Sequence, residues 1–393
     1  MKSNYDILGN HIRLIDTRNT DSVTDRVLGI NIDKFFMPSV ANVIGTDLSK
    51  YKLITKGKFA CNPMHVGRDE RLPVALYEED APAIVSPAYF MFEIIDEDVL
   101  DENYLMMWFR RPEFDRICWL HTDGSVRGGI TWDDICRLEL PVPAIEEQRE
   151  IVRSYKAITE RIAIKRQIND NLAEQCACIL YNQYSADSEC GKPWSKYTVQ
   201  NLIDKGFIDP PMDGNHGEIH PKVSDYVSSG VPFIMANNLS DGFVDLTQCA
   251  FITEKQAKSL RKGFAKPNDV LLTHKATLGR VAIVPEGYKY VILTPQVTYY
   301  RVHKGLSNVY LRYYFASSYF QSILESFAGG GSTRAYIGIT KQCELPIYLP
   351  CEASMIAITN ALEQIERVRT LNQTEIQRLN EVRNTLVSQL SSR

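Results

Sequence analysis

The chain repeats itself. Leu100-x3-Tyr104-Leu105-x3-Phe109-x4-Phe114 returns 206 residues later as Leu306-x3-Tyr310-Leu311-x3-Phe315-x4-Phe320. Gly124-Ser125-Val126-Arg127 returns as Gly331-Ser332-Thr333-Arg334, and Leu138-x-Leu140-x-Val142-Pro143 as Leu345-x-Ile347-x-Leu349-Pro350, both at an offset of 207. Ordered matches at nearly one offset predict a duplicated unit. The 393 residues fit two domains plus something extra.

The extra part follows each terminal proline, where the chain runs on without Pro or Gly. In the first copy Ile151, Tyr155, Ile158, Ile162, Ile168, Leu172, Cys176 and Ile179 keep three- and four-residue spacing, with one six-residue step after Ile162. In the second, Ile358, Leu362 and Ile365, then Ile376, Leu379, Val382, Leu386 and Leu390 do the same. Such stripes predict amphipathic helices. Pro143 ahead of Glu146 and Glu147 suits a helix N-terminus, and Gly191-Lys192-Pro193 marks the end of the first helix. Forty residues at 1.5 Å each make a rod of about 60 Å, which cannot bury its stripe alone. The simplest partner is its own repeat, in a coiled coil whose helices 146–184 and 352–393 are each charge-balanced.

The rest reads as mixed α+β. Val281–Val284, Tyr290–Leu293 and Val297–Tyr300, punctuated by Pro285, Gly287 and Pro295, are expected strands, and 102–118 and 308–327 expected helices. Composition excludes disorder and collagen-like repeats: 44% of residues are hydrophobic and 23% charged. The N-terminus carries Asp6, His11, Arg13 and Asp16 where a signal peptide needs an apolar run, and no segment reaches membrane-spanning length, so a cytoplasmic protein is expected. Nine cysteines without a Cys-x-x-Cys pair are expected to be reduced and buried. The net charge of −4 hides an asymmetry: residues 1–145 carry 16 basic and 23 acidic side chains, whereas 185–351 carry 17 and 14. Within 255–304, ten basic residues face only Asp269 and Glu286, as one positive face would require.

Catalytic motifs are scarce. Asp209-Pro-Pro-Met212 is similar to the Asp-Pro-Pro-aromatic motif of amino-methylating DNA methyltransferases, but Met212 cannot stack on a flipped base, and a Pro-Pro turn is the better reading. His216 and His220 have the spacing of a zinc-binding helix, against which Gly214, Gly217 and Pro221 argue; turn histidines are expected. Gly329-Gly-Gly-Ser332 lacks the Gly-Lys ending of a nucleotide loop. Its recurrence as Gly-Ser-x-Arg instead suggests a loop presenting Ser125 with Arg127, and Ser332 with Arg334, to a DNA phosphate or base edge.

At this repeat the sequence resembles the specificity (S) subunit of type I restriction–modification systems. The strongest match is Leu138-Glu-Leu-Pro-Val-Pro-Ala-Ile-Glu-Glu-Gln-Arg-Glu-Ile-Val152, similar to the motif that opens the family's helices. Asp213-Gly-Asn-His216 with Gly230-Val-Pro-Phe-Ile234, and Asn268-Asp-Val-Leu-Leu272 with Leu278-Gly-Arg-Val281, match as well. In the second copy Cys-Glu-Ala-Ser follows Pro350 where Glu-Glu-Gln would stand. The resemblance implies two target recognition domains, two spacer helices, no catalysis in this chain, and assembly with methyltransferase and then restriction subunits.

The combined expectation is an α+β chain with pseudo-twofold repetition. Recognition domains 1–145 and 185–351 are joined by helices 146–184 and 352–393, which form an intramolecular antiparallel coiled coil. It would need no cofactor or metal, touch no membrane, and bind double-stranded DNA with two methyltransferase subunits and restriction subunits. Expected DNA contacts are Lys58, Arg68, Ser125 and Arg127 in the first domain and Lys275, Thr277, Arg280, Ser332 and Arg334 in the second; expected partner contacts are Glu146, Gln148 and Arg149. The domains differ in charge and should read different half-sites. Rival readings are a self-contained DNA amino-methyltransferase and a coiled-coil protein adaptor that does not bind DNA.

Overall fold

A computed structural model describes residues 4–40, 43–64, 66–122, 128–303, 305–329 and 335–390. It divides into two compact units, 1–164 with 375–393, and 165–374. Each takes one globular part and a stretch of both long helices.

Among the described residues the first unit has strands β1 Tyr5–Ile7, β2 Ile12–Ile15, β3 Val27–Ile30, β4 Phe36–Pro38, β5 Lys52–Ile54, β6 Phe59–Cys61, β7 Val74–Leu76, β8 Ala83–Val85, β9 Phe90–Ile94 and β10 Glu139–Pro141. One sheet runs β2-β9-β6-β7, a second β4-β3-β8-β5, and β1 pairs with β10. All neighbours are antiparallel except β3 and β8. Strands β6 and β8 are buried at every residue, so they read as short apolar runs rather than alternating patterns. The repeated aromatics form the core: Phe109 lies 5.9 Å edge-on from Phe59, 6.2 Å from Phe92 and 4.9 Å from Phe114.

The second unit has β11 Ser195–Thr198, β12 Met212–Asp213, β13 Val231–Ile234, β14 Leu239–Ser240, β15 Phe243–Val244, β16 Ala250–Ile252, β17 Phe264–Ala265, β18 Val270–Thr273, β19 Val281–Ile283, β20 Val291–Leu293, β21 Val297–Tyr300 and β22 Pro346–Leu349. Its sheets run β12-β21-β18-β19 and β16-β13-β20-β17, with β13 and β20 parallel, and β11 pairs with β22. This is the strand order of the first unit, strand for strand, plus one inserted hairpin, β14–β15. The core repeats too: Phe315 lies 4.9 Å from Tyr300 and 4.5 Å from Phe320. The repeated tyrosines have one task in both units. Tyr104 donates its hydroxyl to the Pro141 carbonyl and Tyr310 to that of Tyr348, each tying a helix to the strand that leads into a long helix.

Several expectations need correction. The single helix expected over 102–118 is two, Glu102–Phe109 and Pro112–Leu120, because Pro112 starts a new helix and cannot continue the old one. That over 308–327 is also two, Asn308–Ala316 and Ser318–Phe327, because Ser317 turns extended and caps the second through the Phe320 amide. The first long helix spans Ile145–Glu189, beyond the expected 184, and the second Glu352–Gln389. The extension holds because the Asp187 carboxylate accepts from the Trp194 indole at 2.9 Å and from Ser354 at 3.0 Å. Cysteines are free, but only Cys61, Cys118 and Cys176 are buried; Cys178, Cys190 and Cys351 are exposed.

The long helices pack antiparallel. In the first unit Arg161 Nε donates to Glu375 at 2.7 Å; in the second Lys165 Nζ donates to Asn372 at 2.8 Å and Asn169 Nδ2 to the Arg369 carbonyl at 3.2 Å. Of the expected seam, Ile162 is buried, whereas Ile158, Ile365, Leu379 and Leu386 are half-buried. Ile168 turns outward at 40% exposure and Asn169 takes the inner position, which accounts for the six-residue step in the stripe.

Candidate nucleic-acid interface

In the second unit β18 sits inside its sheet and delivers the chain into the loop 274–280. That loop is held on both sides. The His274 carbonyl accepts from the Ile337 amide at 3.0 Å and the Ala276 amide donates to the Ala335 carbonyl at 3.1 Å. Gly279, at φ +80°, folds back on Thr273, and its carbonyl accepts from Gln321 at 3.0 Å. A Cβ at Gly279 would stand 2.0 Å from the Gln321 carboxamide oxygen, so this turn needs glycine. Lys275 and Thr277 are exposed, with the Lys275 ammonium 5.7 Å from the Tyr336 ring centroid. The loop after β18 is thus bonded to the segment directly following the Gly-Ser-x-Arg motif.

The first unit repeats this joint. Strand β6 corresponds to β18, and in the connection after it, which includes the single helical turn Val66–Asp69, the Gly67 amide donates to the Gly128 carbonyl at 3.0 Å, while the Pro63 carbonyl accepts from Ile130 at 3.1 Å. Segment 128–130 directly follows Gly124-Ser125-Val126-Arg127. Ser125, Arg127, Ser332 and Arg334 themselves lie outside the described residues. What the fold brings together is their flanks with Arg68 in one unit and with Lys275 and Thr277 in the other.

Other expected contacts are placed differently. Lys58 precedes β6, at the end of the strand opposite Arg68. It pairs with Glu93, whose carboxyl is held below the usual range by Lys58 and, less strongly, by Arg13. Arg68 is exposed but bonded to Asp69 at 2.6 Å. Arg280 is exposed, yet its Nη1 donates to the carbonyls of Ala236 at 3.3 Å and Leu239 at 3.1 Å, so one arm anchors the base of the inserted hairpin. Gln148 is fully buried: its side chain accepts from the Asp101 amide at 3.0 Å and donates to the carbonyls of Val99 at 2.9 Å and Pro143 at 2.8 Å. No face of it is left for a partner. Glu146 and Arg149 are exposed in the first turn of the helix, and Arg149 reaches the Glu97 carbonyl at 3.3 Å.

The basic stretch 255–304 is partly neutralised within the fold. Lys262 pairs with the buried Asp213; burial would raise that carboxyl, but Lys262 and His216 hold it below its ordinary value. Arg301 binds the buried Asp269 at 2.7 Å. Lys255, Arg261, Lys266 and Lys289 are exposed and make no ion pair among the described residues. Asp209 binds His303 at 2.7 Å, which fixes the Pro-Pro turn. His216 and His220 flank a single 3₁₀ turn and bond to Asp213 and to the Asn215 carbonyl; no cluster of metal-ligating side chains occurs among the described residues.

Two neighbours of the loop went unread in the sequence. His274 is fully buried; its Nδ1 donates to the Ile337 carbonyl at 2.9 Å, and its Nε2 has no partner. Tyr336, half-exposed, lies 5.7 Å from the His274 ring. The only available signal was position, two residues beyond Arg334.

No family model matches the chain, and no curated protein matches it. Solved structures do. The type I restriction–modification S subunit from M. genitalium aligns over 98% of this chain and 95% of its own, with TM-score 0.54 and 12% identity. The HsdS subunit from Thermoanaerobacter tengcongensis aligns over 98% and 95%, with TM-score 0.36 and 17% identity. A chain from work on complex assembly and conformational transition of the type I R-M system aligns over 98% and 96%, with TM-score 0.41 and 17% identity. No helix among the described residues is long and apolar enough to cross a membrane. With two units of one strand order and two long helices packed antiparallel, the chain has the fold of the M. genitalium S subunit.

Proposed function

We propose that this chain is the specificity subunit of a type I restriction–modification system. It reads a bipartite, asymmetric site in double-stranded DNA, catalyses nothing itself, and directs two methyltransferase subunits and restriction subunits to that site. One observation carries the reading: in each unit the loop after the central strand is bonded to the segment leaving a Gly-Ser-x-Arg motif. The same surface is built twice from different side chains, which is what reading two different half-sites requires. Arg127 and Arg334 are the base-reading candidates, since a guanidinium can donate two bonds to guanine. Ser125, Ser332, Arg68, Lys275 and Thr277 contribute phosphate or edge contacts beside them. The exposed Glu146 and Arg149 offer partner contacts at the start of the first long helix.

Because the first unit is net acidic, phosphate attraction by the isolated chain is weak and the positive field comes from the methyltransferase subunits. A gel shift with and without those subunits tests this. Sequence-specific retardation only with both present is expected; tight specific binding by the chain alone at physiological salt, or none in any combination, contradicts it.

A further inference from the structure

The long helices carry nearly the same stripe, so each has a close imitation of its partner in a second copy of the chain. Ile151, Tyr155, Ile158, Leu172 and Ile179 return 207 residues later as Ile358, Leu362, Ile365, Leu379 and Leu386. Besides Cys176, whose counterpart is Arg383, the likeness fails at four neighbouring positions. Ile162, Lys165, Ile168 and Asn169 have Arg369, Asn372, Glu375 and Ile376 as counterparts.

These four positions meet in a matched way. In the second unit Asn169, Arg369 and Asn372 are all buried. Arg369 Nε donates to the Asn169 carbonyl at 3.1 Å, Asn169 Nδ2 donates to the Arg369 carbonyl at 3.2 Å, and Asn372 Nδ2 donates to Asn169 Oδ1 at 2.9 Å. The remaining Arg369 donors reach Glu366 at 3.0 Å, the Tyr313 hydroxyl at 3.1 Å and the Asp241 carbonyl at 2.8 Å. Lys165 donates to Asn372, its own repeat counterpart, at 2.8 Å. In the first unit the same register assigns Ile162 and Ile376 to one level, and both are buried. Polar thus meets polar, and apolar meets apolar.

Putting a copy of the first helix in the place of the second reverses this. Lys165 then opposes Lys165, and Asn169 opposes Ile162 at both levels. Two copies of the second helix would set Arg369 against Ile376 twice. The first arrangement takes from Asn169 and Lys165 the Asn372 amide that joins them and sets two ammonium groups against each other. In the second, Arg369 keeps Glu366, Tyr313 and Asp241, but its guanidinium and an isoleucine face each other at both levels. Each arrangement thus pairs less well than the native seam. A polar group at one seam position is a known means of fixing register and partner in coiled coils.

We propose that this layer is a pairing code. It directs the first long helix to the second and rejects a second copy of itself, so that the two helices of one chain close on each other. The code stands on the seam alone and goes beyond the DNA-reading proposal, which could fail without affecting it.

The test is the mass in solution of the full-length chain over a concentration series. Lys165→Leu with Asn169→Ile makes the first helix self-complementary while leaving Arg369 and Asn372 unmatched within the chain. Its dimer fraction should exceed that of the wild type at least tenfold at equal concentration. Adding Arg369→Ile and Asn372→Leu restores a match inside the chain, where the partner's effective concentration is about millimolar, and the one-chain mass should return. If the first double variant fails to fold, Arg369→Ile with Asn372→Leu is the mirror case, with dimers through the second helix expected. Double variants that keep the wild-type mass at every concentration, or a fourfold variant that dimerises as much as the doubles, would overturn the code.

Discussion

At the scale of single residues, His274 is the most exacting case. Its Nδ1–H is committed to the Ile337 carbonyl and its Nε2 is buried without a partner, so burial, the largest influence, lowers its pKa from 6.5. The unfolded chain takes up a proton that the folded one refuses. His274 therefore supports folding fully above about pH 6.5, and that support is lost as the pH falls toward its folded value. The thermal midpoint should drop between about pH 7 and about pH 5.5, and His274→Gln, which keeps a donor but cannot charge, should flatten that slope; an unchanged slope contradicts the assignment. Gln148→Leu leaves the Asp101 amide and the Val99 and Pro143 carbonyls without partners and should cost about 2–4 kcal/mol. Denaturation followed by the first unit's Trp108, Trp119 and Trp132 would show it, and a midpoint shift under about 0.5 kcal/mol would disprove the role. The sequence motif Glu-Glu-Gln-Arg did not reveal this division. Three neighbours on a helix face different ways, and which one turns inward depends on a loop, 97–101, far away in the chain.

At the scale of elements, the repeat and the long helices were legible because they rest on spacing that survives in one dimension. The helix breaks at Pro112 and Ser317 were masked by apolar patterns that run straight through them, since each pair of helices packs on one core. The inserted hairpin β14–β15 had a readable signal in Asp241-Gly242, both at positive φ, but nothing in the first copy to align it with. The close approach of the two sheets at Gly214 in the second unit was not readable at all. Gly214 lies where a Cβ would come within 1.9 Å of the Leu293 carbonyl oxygen and within van der Waals conflict of the Thr294 backbone. Gly214→Ala should therefore destabilise the second unit by about 3 kcal/mol, because neither backbone can yield without shifting β20 or β12. Proteolysis or hydrogen exchange of the second unit would report the loss, and wild-type protection would refute the close approach.

At the scale of the whole molecule, the net charge of −4 says little about where charge is available: Lys262, Arg301 and Lys58 are paired with Asp213, Asp269 and Glu93, whereas Lys255, Arg261, Lys266 and Lys289 stay exposed without an ion pair among the described residues. On the proposed function, recognition would rest on a few exposed groups beside the two Gly-Ser-x-Arg motifs, one set per unit. Arg127→Ala should weaken discrimination at one half-site by about 1–3 kcal/mol and Arg334→Ala at the other, with equal loss at both halves counting against the assignment. The duplicated surface, and with it the central claim, is tested most directly by mapping methylated bases across the host genome with the gene intact, deleted, and restored. A specificity subunit predicts one motif of two unlike half-sites separated by a fixed spacer, methylated with the gene, unmethylated without it, and methylated again on restoration. A methylation pattern indifferent to the gene, in cells where the methyltransferase subunits are present and active, would contradict the account.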